Sequence, residues 1–73
     1  MVKAVILVKS PKKLIAAKLA KMQYVYNSFP VSGQFDAVAI VKVDDMSQIR
    51  EVTTKIQMIP GVERTEKIGR AHV

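Results

Sequence analysis

The residues of this chain best placed to do chemistry are a glycine and a carboxylate in one short segment, Val31-Ser32-Gly33-Gln34-Phe35-Asp36. Glycine accepts positive φ and lets a ligand approach the backbone closely. Asp36 adds a fixed charge where the most apolar run of the chain begins. The chemistry on offer is binding through backbone groups and one carboxylate. A hairpin turn leading into a buried strand explains the same residues without a ligand.

Catalysis has poorer material. General acid–base work asks for a histidine beside a carboxylate, or for paired carboxylates in an apolar pocket. The one histidine, His72, adjoins the C-terminal residue and reads as part of a disordered tail. Asp44 and Asp45 sit where a helix begins and read as its cap. No spacing of cysteines, histidines or acids suits a metal. An enzyme is not expected, and neither is a cofactor.

Secondary elements that would position the turn follow from hydrophobic periodicity. Val2 to Val8 is β-branched and apolar on both alternating faces, Val2, Ala4, Ile6 and Val8 against Val5 and Leu7, as a central strand should be. Ser10-Pro11 predicts the start of a helix, serine as N-cap and proline in the first turn. Its buried stripe is Ile15, Leu19 and Met22 with Ala16 and Ala20 beside it, and Leu14 falls among lysines on the solvent side. Tyr24 to Ser32 favours a strand, and Pro30 confines it to an edge. Phe35 to Val43 is again apolar on both faces and therefore central. Asp44-Asp45 predicts the cap of a second helix with Ile49, Val52, Ile56 and Ile59 inward, stopped by Pro60-Gly61. Val62 to about Ile68 is the most polar strand and belongs at an edge.

That order, with right-handed crossovers, predicts an α+β fold of the ferredoxin-like βαββαβ type, a four-stranded antiparallel sheet with both helices on one face. Residues 1–73 read as a single domain. Chains this short bury only about 60% of their unfolded surface, and no cysteine is present to form a disulfide. The two central strands leave a second apolar face that the chain has no further residues to cover. A second copy packing sheet against sheet, a dimeric α+β barrel, is the economical solution.

Charge is unevenly spread. Six lysines, Lys3, Lys9, Lys12, Lys13, Lys18 and Lys21, precede Met22 with no acid among them, and six bases and six acids balance in the remainder, giving the net +6. Such a cluster suits an anionic partner. It lacks interleaved aromatics, arginine and a helix-turn-helix pattern, so direct sequence-specific DNA reading is not expected. A solvated basic face, or a basic assembly protein associated with nucleic acid, is the alternative class. The opening apolar run is too short to cross a membrane or to serve as a secretory signal. A cytoplasmic location fits the absence of cysteine.

Taken with Val43-Asp44-Asp45-Met46 and with Ile59-Pro60-Gly61-Val62-Glu63-Arg64-Thr65-Glu66, the glycine turn resembles the effector-binding (RAM) domain of Lrp/AsnC transcription regulators. The resemblance spans essentially the whole chain and is strongest from Gly33 to Glu66. It implies a domain that dimerises through its sheet, assembles further into octamers or decamers, and senses an amino acid between dimers. It implies that Gly33, Gln34, Phe35 and Asp36 line the effector site, the backbone and Asp36 meeting the ligand's carboxylate and ammonium. Thr53, Thr54, Thr65 and Glu66 are further ligand-binding positions by the same resemblance. Typical members carry a DNA-binding helix-turn-helix domain, which this sequence lacks. It resembles the stand-alone versions, which implies ligand binding and assembly, with modulation of full-length relatives in transcription regulation.

Overall fold

The computed structural model describes residues 2–11 and 14–72, with residues 69–72 described as backbone alone. Its elements are β1 (Val2–Lys9), α1 (Ile15–Ala20), β2 (Val25–Pro30), β3 (Ala37–Val43), α2 (Met46–Gln57) and β4 (Arg64–His72). The sheet order is β2-β3-β1-β4, and every neighbouring pair is antiparallel. The two strands that read as apolar on both faces are the central ones. The proline-containing strand and the polar strand form the edges. This is the expected ferredoxin-like arrangement.

Alternation decides which side chains enter the core. Val2, Ala4, Ile6 and Val8 of β1 and Ala37, Ala39, Val41 and Val43 of β3 face the helices and are buried. Ile15 and Leu19 of α1 and Ile49, Val52 and Ile56 of α2 close over them. Asp45 caps α2 as its position predicts: its side chain accepts from the Ser47 N–H at 3.3 Å, and Gln48 Oε1 accepts in return from the Asp45 N–H at 3.0 Å. Such a reciprocal box satisfies donors that a bare helix end would leave to water.

The first helix departs from expectation. Ser10 does not cap it, because α1 begins at Ile15 after Leu14, which takes a left-handed conformation (φ 67°) and supplies no side-chain cap. Ser10 is instead buried, its N–H donating to Asp36 Oδ2 at 2.8 Å. This bond ties the end of β1 to the turn before β3. Leu14 is 78% exposed, as its place among the lysines suggested. Met22 lies beyond the end of α1 and packs on the core from the following turn, and Ala20 is exposed. Lys12 and Lys13 fall outside the described residues.

The last strand is longer than its polarity suggested. It runs to His72, which pairs with Val2, so the histidine belongs to the sheet and not to a tail. The register slips between Val5 and Ile6, which places a bulge at Ile68 of β4.

Candidate functional site

The end of β1 gathers three distant segments. The Val8 carbonyl accepts from the Asp36 N–H at 2.9 Å, and the Lys9 carbonyl accepts from the Glu63 N–H at 2.8 Å. The turn before β3 and the start of β4 are thereby fixed on either side of one strand end. Within the turn, the Val31 N–H donates to the Asp36 carbonyl at 3.0 Å, and Gly33 sits at φ +109°. A Cβ at Gly33 would meet no heavy atom within 4 Å. The constraint there is backbone conformation, not space.

The turn residues separate to two sides. Gln34 lines an open groove with Lys9, Glu63 and Arg64. Lys9 Nζ reaches the Gln34 carbonyl at 3.4 Å. The Arg64 guanidinium lies 5.1 Å from the centroid of the Phe35 ring, and Phe35 itself is buried. Its ring forms a floor that holds the arginine in place by a cation–π contact. No ion pair forms among the described residues, so Lys9, Glu63 and Arg64 present both charge signs to solvent within one groove. An arginine and a lysine suit a carboxylate, and a glutamate suits an ammonium.

Asp36 faces the other way. It lines an apolar groove with Pro11, Leu14 and Pro30 under the start of α1, and its Oδ2 is committed to the Ser10 N–H. Its role in the geometry is to hold the β1 end against the turn. Replacing it by alanine removes the 2.8 Å bond from the Ser10 N–H, and loss of a hydrogen bond to a charged group costs about 1.5–3 kcal/mol. Asp36→Ala is therefore expected to lower the denaturation midpoint with no ligand present. Asp36→Asn, which keeps an acceptor oxygen, should recover most of that loss in the same urea titration.

The remaining expected positions scatter. The Thr53 hydroxyl donates to the Ile49 carbonyl and the Thr54 hydroxyl to the Arg50 carbonyl, each at 2.9 Å, so both are turned onto their own helix. Thr53 borders a groove with Arg50 and Lys67, and Thr54 lies on the outer face of α2 beside Met58. Thr65 Oγ1 accepts from Gln57 Nε2 at 2.9 Å on the helix side of the sheet. Glu66, opposite Leu7, is exposed on the other side. None of the four lines the groove formed by Lys9, Gln34, Glu63 and Arg64. Lys9, Glu63 and Arg64 are the groove residues that sequence reasoning did not select.

The far face of the sheet is apolar at its centre and unoccupied by either helix. Val5, Leu7 and Ile40 are half-buried there, and Tyr26, Phe29 and Ile68 are 58%, 40% and 57% exposed. The basic residues divide between the two sides. Lys3 and Lys9 lie on this face, whereas Lys18 and Lys21 are exposed on and just beyond α1 on the opposite side. The described lysines thus form no single stripe of the kind that tracks a nucleic-acid backbone.

A four-stranded βαββαβ sheet with one helix-covered face and one apolar face defines a small α+β module of the ferredoxin-like kind. A structure of TTHA0845 from Thermus thermophilus has the same fold at TM-score 0.87 and 28% identity, covering 100% of this chain and 95% of that one. A hypothetical protein of Pyrococcus horikoshii, PHS023, matches at TM-score 0.83 and 26% identity over 100% of this chain and 92% of its own. The AsnC structure from E. coli shares the fold at TM-score 0.77 and 21% identity, over 92% of this chain and 48% of AsnC. The model of the Lrp/AsnC ligand binding domain matches residues 3–68. The chain belongs to that family. No curated protein matches it. Among the described residues, no helix is long and apolar enough to cross a membrane.

Proposed function

We propose that this domain binds a free amino acid in the groove between the Gly33 turn and the start of β4, and that it works as a homo-oligomer built on a sheet-to-sheet dimer. The observation that carries the reading is the groove's unpaired mixed charge. Lys9 and Arg64 meet the ligand's carboxylate and Glu63 meets its ammonium, with the turn backbone beside them. Membership of the Lrp/AsnC ligand-binding family supports an effector role over catalysis. Joining full-length relatives through the shared sheet face, and so modulating transcription, is the physiological output of such a module in the cytoplasm. Further assembly of dimers into octamers or decamers would bring neighbouring subunits to the groove and supply the contacts that read the ligand's side chain.

A thermal-shift screen against the twenty amino acids tests it. A ligand at one hundred times its dissociation constant adds about 2.7 kcal/mol, which for a domain this small is a rise of roughly 10–20 °C in melting temperature. Arg64→Ala should abolish the shift while costing the unliganded domain no more than about 1 kcal/mol, the value of an exposed cation–π contact. Absence of a shift with every amino acid overturns the reading.

A further inference from the structure

The groove beside the Gly33 turn carries one cation more than a neutral amino acid can use. Lys9, Gln34, Glu63 and Arg64 line it, and two bases less one acid leave that lining with a net charge of +1. An α-ammonium occupies Glu63, and an α-carboxylate occupies one of the bases. The other base is left over. Lys9 and Arg64 also stand directly opposite each other across β1 and β4, where like charges repel. No neighbouring acid relieves them. Glu66, two residues further along the same side of β4, does not line the groove, and the Asp36 carboxylate is held by the Ser10 N–H on the other side of the turn.

The two bases are held in different ways. The Arg64 guanidinium lies 5.1 Å from the centroid of the Phe35 ring, which fixes a planar fork suited to bidentate pairing with a carboxylate. Lys9 Nζ donates to the Gln34 carbonyl at 3.4 Å, which spends one of its three N–H donors and leaves two for a ligand. Resting on the amino-acid site proposed above, we infer that the ligand is a dicarboxylic amino acid, aspartate or glutamate, and that Lys9 is the residue that selects it. Arg64 takes the α-carboxylate, Glu63 the ammonium and Lys9 the side-chain carboxylate. Two carboxylates less one ammonium give the ligand a net single negative charge, which matches the surplus of the groove. A neutral amino acid satisfies one base and leaves the other facing it; an acidic one sets an anion against each.

Isothermal titration calorimetry of the full chain with glutamate, glutamine, aspartate and asparagine tests the assignment, because each acid differs from its amide in charge and hardly at all in shape. Glutamate should bind at least roughly fivefold tighter than glutamine, and aspartate than asparagine, a ratio equivalent to about 1 kcal/mol for a solvent-exposed ion pair. Added salt should shrink the ratio by screening it. Lys9→Gln should bring each acid to within about twofold of its amide while leaving the amide's own constant within about threefold of the parent value. Lys21→Gln, the same loss of charge just beyond α1 on the opposite side of the domain, should leave the ratio unaltered. An amide that binds as tightly as its acid, a neutral amino acid that binds tighter than both acids, or a preference that survives Lys9→Gln overturns the inference and leaves the amino-acid site standing. Failure of every amino acid to bind removes both.

Discussion

Ile40→Asp is expected to convert the proposed sheet-to-sheet dimer into folded monomers. Ile40 stands opposite Val5 at the centre of the helix-free face and contributes nothing to the core beneath the helices, which is built from Ala39 and Val41 on either side of it. A carboxylate there remains hydrated in a single copy, and the fold persists. In the dimer it is buried against apolar side chains, and an uncompensated buried charge costs several kcal/mol. Two such charges enter each dimer. The dissociation constant is expected to rise by more than ~1000-fold, corresponding to about 4 kcal/mol. Sedimentation velocity would show one slow species, and far-UV circular dichroism would match the parent chain. A variant that remains dimeric would move the interface off the sheet face.

The dependence of this prediction on Val5, Leu7 and Ile40 shows which information the sequence holds locally. A strand apolar on both alternating faces must be covered on both, so the central places of β1 and β3 and the need for a covering surface could be read from side-chain period alone. Pro30 and the run from Glu63 to Lys67 marked the edges for equally local reasons. The helix starts later than Ser10-Pro11 suggested, at Ile15 after a left-handed Leu14, and the tie of the Ser10 N–H to Asp36, 26 positions away in the chain, has no local sequence signature. His72 was misplaced because charge alternation along β4 hides its pairing with Val2, and the bulge at Ile68 disrupts the period further.

Of the candidate site, the glycine turn was legible because positive φ has a sequence signature, and Gly33 adopts it. Its neighbours were not, since Lys9, Gln34 and Glu63-Arg64 come from three segments joined only by antiparallel pairing. The topology contained the missing clue. In a βαββαβ sheet the end of the first strand lies beside the start of the last, which sets Lys9 opposite Arg64. Asp36, chosen for its charge, proves to be tied to the backbone that shapes the turn.

Leu19→Ala is expected to bring the domain close to its unfolding threshold. α1 has only six residues, too few to be helical without tertiary support, and it enters through a left-handed Leu14 with no side-chain cap. What holds it is packing: Leu19 is fully buried and Ile15 nearly so, and the Ser28 hydroxyl donates to the Ala16 carbonyl at 2.6 Å from β2. Truncating a buried leucine costs about 2–5 kcal/mol, more where the surroundings cannot collapse into the gap. Ile6, Val41 and Ile56 lie in the same cluster on the sheet and on α2, whose backbones are fixed by ladder and capping bonds, so collapse is limited. Against a total of roughly 4–11 kcal/mol for a domain of this length, the loss is a large fraction of the whole. Urea denaturation at one fixed protein concentration, which holds the contribution of the proposed dimer constant, should show a lower midpoint with an unchanged slope. Leu14→Ala, one turn earlier and exposed, should shift the same midpoint by no more than about 0.5 kcal/mol. Equal effects from the two variants would mean that α1 is held by something other than Leu19.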